Sequence, residues 1–103
     1  MRRIVVLALA ASMGSTAALA APAAHFAGSE LLPQAKITLA NARSSALAVR
    51  PGVITDQELE KERGGTGLRY SFDIKSKGKT FEVGIDARTG KVLENDAEGA
   101  NPD

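Results

Sequence analysis

The sequence predicts an α+β domain, one α-helix packed on an antiparallel β-sheet of three to four strands. Three observations lead there. From Leu68 to Leu93 apolar residues fall on alternate positions, interrupted twice by glycine-containing turns, which is the pattern of a meander. From Thr38 to Arg50 apolar residues recur at spacings of three and four, the period of one helix face. Pro51-Gly52 and Gly64-Gly65-Thr66-Gly67 punctuate the chain between these segments, so the elements are short and tightly joined.

The chain of 103 residues opens with Met1-Arg2-Arg3, an apolar run from Ile4 to Ala11, and Ala18-Leu19-Ala20. This is the three-part layout of a secretory signal peptide, so residues 1–20 are expected to be removed after Ala20. The apolar run dissolves into Ser12, Gly14, Ser15 and Thr16, short of the roughly 20 apolar residues that span a bilayer. Arg2 and Arg3 sit directly behind the initiator Met, without the longer polar lead of twin-arginine signals, so general secretion is expected. With no cysteine to carry a lipid, the mature chain is expected free in the periplasm or the extracellular space, with no stable membrane insertion. Residues 21–34 mix Ala, Pro, Gly and Ser and read as a linker, with a short helical turn near Glu30 to Lys36.

The domain proper is expected over residues 35–95. Leu39, Ala42, Ala46 and Val49 form the apolar stripe of its helix. Thr38 is a suitable N-cap, and Ile37 before it can pack back on the first turn. Pro51 ends the helix at Arg50, because proline disfavours helical backbone in its predecessor. The segment Val53 to Arg63 reads two ways: Glu, Lys and Leu favour a helix, while Val53, Thr55, Gln57 and Leu59 alternate like a strand. A strand is preferred, since the glycine-rich turn that follows then makes a hairpin and the sheet gains a partner for its edge. Leu68, Tyr70, Phe72 and Ile74 should face the helix from the next strand, then Phe81, Val83 and Ile85 after the turn at Ser76-Lys77-Gly78. A last short strand, Lys91 to Glu94, follows Asp86-Ala87-Arg88-Thr89-Gly90. Residues 96–103 read as a flexible acidic tail.

Removal of residues 1–20 takes away two arginines and no acid, so the net charge of +1 falls to −1. A near-neutral domain with interspersed charges has no basic footprint for nucleic acid. Lys75, Lys77, Lys79 and Lys91 gather at turns, where a solvated hairpin explains them. At roughly 80 residues without disulfides, the mature chain supports a single modest core.

Candidate sites are few. His25 is the sole histidine and has no companion at a spacing that implies a metal or a nucleophile. Asp56, Glu58, Glu60 and Glu62 form an acidic stripe on one strand face, which could attract a cation or a basic partner. A solvated outer face is the preferred reading, because calcium sites converge ligands from several directions. Asp86, Thr89 and Gly90 read as a structural turn, since Asp hydrogen-bonds turn amides and Gly accepts positive φ. No catalytic residue and no cofactor are expected, as nothing pairs a nucleophile with a base.

The order of helix, Pro51-Gly52, Glu58-Leu59-Glu60, Tyr70-Ser71-Phe72-Asp73-Ile74, Glu82-Val83 and Asp86-Ala87-Arg88-Thr89-Gly90-Lys91-Val92 resembles the PepSY domain family. Ala42, Ala46 and Ala48 of the helix belong to the likeness, which covers about Ala35 to Glu94. Members similar to this chain are small exported single-domain proteins, and related domains occur in propeptides of thermolysin-type metallopeptidases and in larger membrane proteins. The resemblance therefore implies a non-enzymatic module that restrains or inhibits a peptidase, with no catalytic residue to carry over and with the shared Asp and Gly structural. The expected partner is an envelope or secreted protein, a peptidase foremost, reached through an exposed edge strand, either Val53 to Glu62 or Lys91 to Glu94. The alternative is a cation or small-ligand binder using the acidic strand face.

Overall fold

A computed structural model describes residues 25–99. The expected signal peptide, the start of the linker and the end of the acidic tail lie outside these described residues. The elements are a 3-10 segment Ser29–Gln34, helix α1 Leu39–Val49, and strands β1 Val53–Lys61, β2 Leu68–Ser76, β3 Lys79–Asp86 and β4 Val92–Ala97. The strands form one antiparallel sheet in the order β1-β2-β3-β4. The expected α+β class, with one helix on an open antiparallel sheet, is what the chain adopts. Among the described residues no helix is long and apolar enough to cross a membrane.

Helix α1 begins as the sequence implies, with Thr38 Oγ1 accepting the Asn41 amide at 3.1 Å. It buries Leu39, Ala42 and Ala46 against Leu59, Leu68, Tyr70, Phe72, Ile74, Val83 and Ile85 of the sheet. The two alanines let the helix backbone approach the aromatic rings closely, and Tyr70 and Phe72 stack along β2 with ring centroids 6.3 Å apart. Tyr70 Oη donates to Ile37 O at 2.7 Å, which pins the helix entry to the sheet. The expected stripe fails at its last member: Val49 is 39% exposed. At about 100° per residue Val49 lies at the margin of the arc set by Leu39, Ala42 and Ala46, whereas Arg43 and Arg50 lie on its other flank. Those two arginines reach the sheet as polar contacts, Arg43 Nη1 to Gln57 Oε1 and Arg50 Nε to Asn95 Oδ1 at 3.0 Å.

The ambiguous segment is a strand, but its register carries a bulge. Ile54 opposes Ile74 and Asp56 opposes Asp73, so Thr55 is the extra residue. The bulge brings Ile54 to the core and leaves Val53 66% exposed, which replaces the expected Val53, Thr55, Gln57, Leu59 alternation at its start. The β2–β3 connection is a two-residue turn with positive φ at both Lys77 and Gly78, matching the twist of the strands it joins. Two expected boundaries differ as well. Asp96 and Ala97 belong to β4, and Glu98 N donates to Thr80 O at 2.8 Å, because the antiparallel ladder with β3 continues past Glu94. Within residues 21–34, Phe26, Leu31 and Leu32 pack against the core, and Ala27 forms a parallel bridge with Glu58. Gly28, at φ 88°, permits that approach, since a Cβ there would stand 1.8 Å from Leu59 O.

Candidate functional site

The sequence reading points first to the Asp86 turn, the sheet face remote from α1, and the two sheet edges.

Asp86 is buried, and its carboxylate is fully engaged. Oδ1 accepts from Arg88 N at 2.8 Å, Thr89 N at 3.0 Å and Thr66 Oγ1 at 2.8 Å, while Oδ2 accepts from Thr66 N at 2.6 Å. Burial disfavours its charge, but the bonds from Thr66, Arg88 and Thr89 outweigh that and hold its pKa down at about 2. Gly90 closes the same turn, donating to Asp86 O at 2.9 Å. Arg88 extends the arrangement, reaching Thr66 O at 2.9 Å and Gln34 O at 3.2 Å. The β1–β2 turn, the β3–β4 turn and the 3-10 segment are thereby tied at one end of the sheet. With both carboxylate oxygens accepting from donors of its own fold, this turn is a joint. Thr66 escaped the sequence reading because nothing local links it to Asp86 across the sheet, and so did the reach of the Arg88 side chain to Thr66 and Gln34.

The acidic stripe lies where alternation places it. Asp56, Glu58 and Glu60 point away from α1, and Glu62 continues beyond the end of β1. Register carries the stripe across the whole sheet: Asp56 opposes Asp73, Asp73 opposes Glu82, Glu82 opposes Asp96, and Gly84 opposes Glu94. The members on β2 to β4, together with Glu98, were missed, although the outward positions of the meander could have named Asp73 and Glu82. Asp56, Glu58, Ser71, Asp73, Glu82 and Glu98 line a shallow depression of about 180 Å³. Burial and, after it, the neighbouring carboxylates raise several pKa values. Glu60 is raised by burial and then by Glu58, with Ser71 Oγ, which donates to it at 2.7 Å, acting the other way. Glu62 is raised by its hydrogen bond with Glu60, Asp73 by burial and then by Glu98 and Asp56, and Glu82 by burial and then by Glu94 and Asp73.

A buried cation stands in this field. Arg69 is 8% exposed, lies across Gly84, and pairs with Glu94 at 3.2 Å while donating to Arg63 O at 3.0 Å. Among the described residues no three His, Cys, Asp or Glu side chains are placed to hold one metal ion. The face presents charge across a surface and does not converge on a coordination point, and His25 stands apart on an exposed segment.

The edges differ. Leu59 N on β1 donates to Ala27 O at 2.9 Å, and Gln57 N donates to Asp56 Oδ1 at 2.9 Å, so two outward amides of β1 are already satisfied. On β4, Glu98 N faces β3, and the two-residue alternation turns the amides of Asn95 and Ala97 outward. Neither has a partner among the described residues.

A family model described as PepSY, peptidase propeptide and YPEB domain, matches residues 36–96. No curated protein and no solved structure matches the chain.

Proposed function

The chain belongs to the PepSY family, and on that premise we propose that it is an exported, non-enzymatic binding module that docks on a peptidase of the periplasm or extracellular space and restrains it. PepSY domains are in general propeptide-like or inhibitor-like modules without catalytic groups of their own. The observation that carries the docking mode is the contrast between the two edges: β1 is covered at Leu59 by Ala27, whereas β4 presents the Asn95 and Ala97 amides. An edge of this kind pairs with an extended segment of a partner through main-chain hydrogen bonds. The like charges opposed across the remote face cost stability without serving the core, and they give the approaching surface a preference for basic partners.

The test is inhibition of metallopeptidase activity in the host's own envelope fraction, followed on a fluorogenic peptide, with the wild-type chain and with Ala97→Pro. Proline at an outward amide removes an edge donor and leaves the inner ladder intact. Concentration-dependent inhibition lost in the variant supports docking through β4. Equal inhibition by both chains removes the edge from this reading, and unaltered activity with either removes peptidase restraint.

A further inference from the structure

At the opposite end of the sheet from Asp86, helix α1 stops over the β2–β3 turn and leaves an open-mouthed pocket of about 500 Å³ lined by Arg50, Pro51, Ser76, Lys77, Lys79 and Phe81. Its size falls within the range of small-ligand sites. The guanidinium of Arg50 lies over the Phe81 ring, 3.8 Å from the centroid. Its Nε donates to Asn95 Oδ1, and Asn95 Nδ2 in turn donates to Val49 O at 3.4 Å. The side chain is thus held on its face and at Nε, while its terminal nitrogens have no partner among the described residues. A guanidinium fixed this way presents parallel N–H groups as a ready fork for a planar oxyanion. Lys77 and Lys79 flank it on the turn, and among the described residues none of the three cations makes an ion pair.

We propose that this pocket binds a carboxylate carried on an apolar body. Arg50 receives the carboxylate in its fork, Phe81 and Pro51 take the apolar portion, and Lys77 and Lys79 add attraction at the rim. Two features select a carboxylate over a phosphate. The pocket lies at the C-terminal end of α1, whose negative end disfavours a dianion. The ring and the proline beside the fork favour a ligand with apolar surface next to its charge. Such a ligand is either the free C-terminus of a peptide ending in an apolar residue or a small aromatic or aliphatic acid. The site requires neither the β4 edge nor a peptidase.

The experiment is a titration of the full chain followed by amide chemical shifts, using N-acetyl-Leu-Phe as the free acid, the same dipeptide as its C-terminal amide, phenylacetate and inorganic phosphate. The expected result is saturable shifts at Arg50 and Lys77–Phe81 with the free acid, with at least tenfold weaker binding of the amide and of phosphate. Phenylacetate binding as tightly as the dipeptide acid identifies the small acid as the source, and weaker binding identifies the peptide terminus; either supports the site. Arg50→Gln should weaken the acid at least tenfold. The double variant Lys77→Gln with Lys79→Gln, which alters only exposed side chains of the turn and of the first residue of β3, should weaken it several-fold with the spectrum of the sheet interior unchanged. Equal affinity for acid and amide, phosphate binding as tight as the acid, or affinity unmoved in both variants overturns the proposal.

Discussion

Asp86 and Thr66, twenty residues apart, are joined twice, by the Thr66 amide at 2.6 Å and by its hydroxyl at 2.8 Å. The pair holds the first hairpin turn against the last one. Asp86→Asn replaces an acceptor-only group by one that must turn a donor toward buried donors. The expected loss is about 3 kcal/mol of folding stability, read from urea unfolding followed by circular dichroism. A loss below about 0.5 kcal/mol would mean that the turns hold without the carboxylate.

Stability should pass through a maximum in mildly acidic solution. Glu60, Glu62, Glu82 and Glu94 are raised above the ordinary 4.5 and Asp73 above 3.8. For such groups the folded chain takes up protons first, so stability grows as pH falls through their folded pKa values toward the unfolded ones. Asp86 acts oppositely. Its pKa is held down from 3.8 to about 2, so the stability it contributes is present above 3.8 and is lost as pH falls between those values. That loss amounts to about 2 kcal/mol. Thermal unfolding at half-unit pH steps would show the rise and then the fall; a monotonic decline from neutrality contradicts the crowded acidic face.

Neutralising one member of that face should stabilise the chain. Glu82 opposes both Asp73 and Asp96, and Glu82→Gln removes two like-charge pairs. A gain of about 0.5 kcal/mol at neutral pH and low salt is expected, shrinking in 1 M salt as screening shortens. A gain independent of salt would assign the effect to side-chain packing.

Gly28→Ala should uncover β1. The added methyl would meet Leu59 O while the backbone holds φ 88°, so Ala27 must withdraw and Leu59 N loses its acceptor. Hydrogen exchange at the Leu59 amide is then expected to accelerate at least tenfold, with the β2–β3 amides unchanged. An unchanged Leu59 rate would show that the strap tolerates the methyl.

Much of this fold is legible in the residues because its signals are local. The Thr38 cap, the inward set of Tyr70, Phe72, Val83 and Ile85, and the Lys77-Gly78 turn each depend on neighbours within a few positions. The Thr55 bulge is not legible, since one added residue slides Ile54 into the core without disturbing the polar-apolar texture on which alternation rests. The extent of the acidic face needs register: Asp73, Glu82 and Asp96 become one surface only when three hairpins align them. The Asp86 joint is half legible, because its turn partners Arg88, Thr89 and Gly90 follow it in sequence while Thr66 is brought to it by the sheet. The Arg50 fork is invisible beforehand, as a helix-terminal arginine acquires an aromatic floor only through the β3 register.

Because the strand order is β1-β2-β3-β4, every ladder joins chain neighbours, and no strand waits for a distant segment to arrive. Loop-closure entropy is therefore small at each step, and the sheet can zip outward from the Lys77-Gly78 turn before the helix settles on it. A chain so arranged reaches its native state early, and the moment at which its last strand is still unfilled is also the state it keeps.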